Sequence, residues 1–119
     1  MITYTRAINR DGHLKNHAFL MDRAGGWWLA PAFDLSFSRG PGGEHTLLVG
    51  GVGRRPGRAQ FERVATKAGI KPKRVAEIIG EVDEFIAKWP TFAEDAEDAE
   101  VPPATQNAIM EAMTAARIW

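Results

Sequence analysis

The sequence predicts an α+β fold in which one or more N-terminal β-hairpins pack on a C-terminal helical subdomain. Three observations predict it. The 119 residues suit a single domain with one core, since domains typically run about 100 to 200 residues. Nine of the twelve glycines precede residue 57, Gly57 marks the boundary itself, and only Gly69 and Gly80 follow. Across that boundary the apolar residues change from short runs to a three- and four-residue spacing. The domain therefore divides into a loop and β-hairpin segment, 1–57, and a helical segment, 58–119.

In the first segment, Ala18 to Asp22 and Trp27 to Ala30 are short apolar runs separated by Arg23-Ala24-Gly25-Gly26, which is the pattern of a β-hairpin. Strand alternation sends one of Trp27 and Trp28 inward and leaves the other on the sheet surface. His45 to Val49 reads as a further strand, bounded by glycine clusters at 40–43 and 50–53. In the second segment, Phe61, Val64, Ala65 and Ala68 mark a helix over 58–68, with Gly69 as its left-handed cap. Val75, Ile78, Ile79, Val82, Phe85, Ile86 and Trp89 mark a longer helix over 72–89, opened by Pro72 and closed by Pro90. The acidic run 94–100 reads as a solvated helix or linker, because no glycine turn separates its carboxylates as a calcium loop requires. A last helix over 103–118 is expected to bury Ile109, Met110 and Met113.

Composition excludes several function classes. With no cysteine there is neither a disulfide scaffold nor a thiolate metal site. Fifteen Lys+Arg against fifteen Asp+Glu give no global field for nucleic acid or anionic lipid. The polar first ten residues lack the apolar region of a secretion signal, and no apolar run approaches the roughly 18 residues of a membrane span. A cytoplasmic protein is expected.

Asp11 and Asn16 stand at the D-x-x-x-x-N spacing of a kinase catalytic loop, where the aspartate accepts a hydroxyl proton and the asparagine holds a second magnesium. The predicted hairpin starts just after Asn16 and ends just before Asp34, so it can return both oxygen ligands to one place. Magnesium takes hard oxygen ligands and needs only one or two from protein carboxylates. The competing reading makes these Asx residues turn formers and caps flanking a hairpin. His13 and His17 stand four apart, but no Glu completes H-E-x-x-H and Gly12 argues against a helix there, so zinc is not expected. The run Gly50 to Arg58 matches no phosphate-loop spacing. Its Arg54, Arg55 and Arg58 lack interleaved aromatics, which argues against direct nucleic-acid binding.

The segments Asp11-Gly12-His13-Leu14-Lys15-Asn16-His17-Ala18-Phe19-Leu20 and Trp28-Leu29-Ala30-Pro31-Ala32-Phe33-Asp34-Leu35 resemble the two signature motifs of the HipA-like serine/threonine kinases, toxins of bacterial toxin–antitoxin pairs. The likeness continues from His45-Thr46-Leu47 through the helical hairpin to Trp89, where it is less specific. The resemblance implies a kinase C-terminal lobe that uses ATP and magnesium (Mg2+). It makes Asp11 the catalytic base, Asn16 and Asp34 the magnesium ligands, and His13 and Lys15 neighbours of the phosphates. Two features depart from the family. Arg10 stands where a small polar residue is usual, placing a cation able to pair with Asp11. Only ten residues precede Asp11, where the family has a nucleotide-covering N-lobe. Two readings follow: a kinase C-lobe that transfers phosphate when an N-lobe completes it, or a non-catalytic remnant or interaction module. Expected partners are an antitoxin, a separate N-lobe protein or a second copy in a homodimer, with no membrane.

Overall fold

The computed structural model describes residues 1–117. The α+β expectation holds: two antiparallel strands accompany five α-helices among the described residues. No described helix is long and apolar enough to cross a membrane.

The chain opens with an element that the sequence pattern did not announce. Helix α1, Ile2–Arg6, buries Tyr4, Thr5 and Arg6 and packs against α3, Pro72–Ala87. Five residues cannot sustain a helix in water, so α1 exists because of what it touches. The Arg6 guanidinium is the main attachment. Its Nε donates to Asp83 Oδ1 on α3, and its Nη1 donates to the Met113 carbonyl on α5, Pro103–Ala115, at 2.6 Å.

The core lies between α3 and α2, Arg58–Lys67. Val49, Phe61, Ala65, Val75 and Ile79 are buried together, with Ile2 and Val64 packed against them. Helix α2 ends as expected at Gly69, whose φ of 70° lets the Gly69 N–H reach Thr66 O (3.1 Å) and the Ile70 N–H reach Ala65 O (2.8 Å). These two bonds satisfy carbonyls that a helix end otherwise leaves open. Helix α3 stops at Ala87 rather than Trp89, and the chain continues as a 3-10 turn, Trp89–Phe92, with Pro90 in its first turn. The acidic run forms an exposed helix, α4, Ala93–Asp98.

Several expectations are corrected. Val49 belongs to no strand: Val49 and Val52 exchange both backbone hydrogen bonds (3.0 Å each) around Gly50 and Gly51, whose φ values of 55° and 84° build a tight turn. Helix α5 ends at Ala115, and Ile118 of the expected 103–118 helix lies outside the described residues. Met113 is buried, whereas Ile109 is only half-buried and Met110 is exposed.

The hairpin forms where expected but does not pack on the helices. Strands β1, Phe19–Met21, and β2, Trp27–Leu29, pair Phe19 with Leu29, Leu20 with Trp28 and Met21 with Trp27. At the turn Asp22 Oδ1 accepts the Ala24 and Gly26 N–H groups, each at 2.8 Å. All six strand residues are exposed, Trp27 and Trp28 alike. Alternation buries one face of a strand only when something stands opposite it, and here nothing described does. The radius of gyration, 15.6 Å, accordingly exceeds the roughly 13.5 Å expected of a compact chain this long.

The Arg6 attachment sets a stability test. Asp83→Ala leaves a buried guanidinium without its carboxylate and should cost about 3 kcal/mol in urea unfolding. Replacing both partners with apolar residues, Arg6→Met with Asp83→Leu, should recover most of that loss.

Candidate functional site

The segments that flank the hairpin meet beneath it. His13 and Asn16 close a single 3-10 turn, Leu14–Asn16: the Asn16 N–H donates to His13 O at 3.0 Å and the His13 N–H donates to Asn16 Oδ1 at 2.7 Å. The second bond orients the buried Asn16 amide, directing its Nδ2 to Asp34 Oδ2 at 2.5 Å. Two residues 18 apart in sequence thus share one hydrogen bond. Asp34 is held in a left-handed conformation, φ 53°, which is uncommon outside glycine though tolerated by Asp and Asn.

Two residues that the motif reading did not single out carry this arrangement. The Tyr4 hydroxyl lies 3.3 Å from both the Asn16 and the Phe33 carbonyl oxygens and can donate to either. Its ring packs on His17, with centroids 5.6 Å apart. A Cβ at Gly12 would approach the Tyr4 ring at 3.2 Å, so the small residue after Asp11 lets the chain cross the ring closely. Asn9 is also buried, and its Nδ2 donates to the Asp34 carbonyl at 2.9 Å. Asn9 stands beside the motif and was within reach of a sequence reading. Tyr4 was not, since a five-residue helix shows no readable periodicity.

Of the other candidates, Asp11, His13 and Lys15 are exposed, and no hydrogen bond or ion pair among the described residues engages the Asp11 carboxylate. Arg10 does not pair with it. The Arg10 Nη1 instead donates to the Arg39 carbonyl at 2.9 Å, on a different side of the chain. His13 and His17 flank the 3-10 turn in extended conformations, so they do not share a helix face, and no metal-binding group of three His, Cys, Asp or Glu side chains occurs among the described residues.

The donor set suits magnesium in one limited sense. Asp34 retains a carboxylate oxygen outside its bond to Asn16, and the Asn16 carbonyl oxygen has a second lone pair beyond the one taken by His13. Two neighbouring hard oxygens are what magnesium takes from protein when phosphates and water complete its shell.

Near this site, burial of His45 holds its pKa below the usual histidine value. A hydrogen bond to the Asn9 backbone opposes the shift, and the Arg10 charge adds to it.

Among known protein families, the model for the HipA-like C-terminal domain matches residues 1–89, about three quarters of the chain. No curated protein and no solved structure matches.

Tyr4→Phe removes a hydroxyl shared by two carbonyls and should lower stability by about 1 kcal/mol in denaturant titrations. The His45 shift sets a pH test. Because the folded state holds the depressed pKa, the unfolded chain binds the proton first on acidification. Stability from this group is complete above about pH 6.5 and falls as pH drops below it toward the folded value. His45→Gln should flatten that part of the melting-temperature profile.

Proposed function

The chain belongs to the HipA-like C-terminal domain family, and on that premise we propose that it is the C-terminal lobe of a protein serine/threonine kinase. In this reading it transfers the γ-phosphoryl of ATP once an N-lobe completes the nucleotide site. The observation that supports it best is the Asn16–Asp34 hydrogen bond, which gathers the oxygen donors of two separate motifs. Bound magnesium would neutralise phosphate charge as it develops in the transfer. Asp34 and Asn16 would hold it through their side-chain oxygens. Asp11, with a carboxylate not engaged by any described neighbour, would orient the substrate hydroxyl and take its proton. His13 and Lys15, both exposed beside Asn16, would stand near the phosphates. Tyr4 and Asn9 fix the backbone carbonyls next to both metal-holding residues and so act as positioning residues. Phosphoryl transfer depends mostly on positioning and electrostatics, so a C-terminal lobe assayed without an N-lobe is expected to bind weakly and transfer slowly.

A second reading is favoured by the hairpin. Phe19, Met21, Trp27 and Leu29 are each more than half exposed, and Leu20 and Trp28 are close to it. Apolar surface gathered in this way marks interaction surfaces. In this reading the chain is a non-catalytic interaction module that binds an antitoxin, a separate N-lobe or a second copy of itself.

Calorimetric titration with magnesium and ATP separates the two. The kinase reading expects binding that weakens at least about tenfold in Asp34→Ala, the loss of one charged contact. Asp11→Ala should leave that binding intact and abolish phosphotransfer measured with the product of the neighbouring reading frame. Absence of binding in every variant would sink the kinase reading. The interaction module instead expects concentration-dependent association in light scattering that Trp28→Thr disrupts.

A further inference from the structure

A cavity of about 470 Å³ opens on a part of the molecule that the proposed kinase site does not use: none of Asp11, His13, Lys15, Asn16 or Asp34 lines it. Five arginines do. Arg10 comes from the segment after α1, Arg39 from the loop after the hairpin, Arg54 and Arg55 from the loop before α2, and Arg117 from the chain after α5. No carboxylate lines the cavity among the described residues. Arg54 pairs with Glu44 at 3.2 Å, whereas Arg10, Arg39, Arg55 and Arg117 have no carboxylate partner among the described residues. In a chain whose formal net charge is zero, this is a strong local concentration of one sign.

Gathering like charges around a concave surface raises the energy of the empty site and focuses a positive potential into it. Two further observations point to an anion as the occupant, and a third shows that the loop carrying Arg55 is held under strain. Arg10 Nε is buried with no hydrogen-bond partner in the described structure, and a charged donor left that way is costly. Arg55 holds φ 51° immediately before Pro56, a conformation that both its side chain and the following proline disfavour. Pro56 and Gly57 bring the N-terminus of the ten-residue helix α2 to the cavity wall, adding the positive end of its dipole. Thr5 and His45 also line the cavity, and apolar wall comes from Ile8, Pro56 and the Ala112, Ala115 and Ala116 face at the end of α5. A volume within the usual range of about 300 to 1,000 Å³ suits a small molecule with both charged and apolar parts.

We propose that this cavity binds a small organic phosphate bearing at least two phosphate groups, of the nucleotide or sugar-bisphosphate class, at a site separate from the Asn16–Asp34 pair. The arginine forks grip the phosphate oxygens, for which their planar paired donors are suited. The alanine face of α5 accepts the organic part. An extended nucleic acid is disfavoured because the cations converge on one hollow instead of following a row of phosphates.

The test is calorimetry on the full chain in EDTA, which removes the magnesium that the kinase site would need, with pyrophosphate, ATP and fructose 1,6-bisphosphate as the probes. Saturable binding of pyrophosphate and of at least one organic phosphate is expected. Arg39→Ala with Arg55→Ala should weaken it at least about tenfold, the loss of charge-assisted bonds, while circular dichroism shows the fold retained. Asp34→Asn should leave it within about twofold, as expected of sites without shared contacts. The proposal is overturned if none of the three probes binds, if pyrophosphate binds and neither organic phosphate does, or if Asp34→Asn abolishes binding that the arginine variant retains. It is also overturned if a duplex DNA competes more strongly than ATP. Because the titrations exclude magnesium and the variants separate the two sites, failure here leaves the kinase reading standing, and failure of the kinase reading leaves this one standing.

Discussion

The molecule is organised around a guanidinium taken out of water. Arg6 is almost wholly buried, and its bonds reach Asp83, 77 residues away, and the Met113 carbonyl, 107 residues away. A cation placed there destabilises the fold unless both contacts form, because the cost of burying it is offset only by good geometry and full hydrogen bonding. The ion pair is therefore better understood as a requirement of register than as a source of stability. With Arg6 seated, α1 has one position against α3 and α5, and a helix too short to persist alone becomes a fixed part of the base.

That fixed position is what the candidate site depends on. Tyr4 lies two residues before Arg6 on the same short helix, and its hydroxyl and ring meet Asn16, Phe33, His17 and Gly12. Asn9, just after α1, bonds the backbone of Asp34. The helical base and the two motif segments are thus joined through residues 4 to 9, with the hairpin projecting beyond. An exposed two-stranded hairpin is marginal in water by its own pairing. Its register is held at both ends, by the Asp22 turn at the tip and by the Asn16–Asp34 contact at the root.

Much of this was legible in the sequence, for identifiable reasons. The α2–α3 pair was readable because Phe61, Ala65, Val75 and Ile79 fall at helical spacing and Gly69 supplies the left-handed cap. The hairpin was readable from its turn, but not its exposure, since apolar strands normally imply a partner surface and the described residues supply none. Asn16 and Asp34 could be placed near each other because a hairpin connects them. Helix α1 was hidden because its stability comes from contacts with α3 and α5, distant in sequence, and its polar composition masks a buried segment. The His45 to Val49 run has strand composition, yet Gly50 and Gly51 turn it back at once, and a two-residue turn without a long partner leaves only a bridge.

Position 10 shows how local geometry separates two chemistries that the sequence places side by side. A cation next to a candidate base is a conflict if both side chains face the same way. In the turn that follows α1, Asn9 and Arg10 send their side chains to different partners: Asn9 reaches toward Asp34, while Arg10 reaches toward Arg39 and the arginine-lined cavity. Neighbouring strands of chain hold it there, since Arg10 N–H donates to Ser38 O at 3.2 Å and Arg10 O accepts from Thr46 N–H at 3.0 Å. Gly40 completes the fit, because a Cβ there would stand 2.8 Å from that of Arg10. The residue that seemed to threaten the proposed base is instead committed to the arginine-lined cavity, and the backbone between Asn9 and Asp11 separates that cavity from the Asn16–Asp34 site.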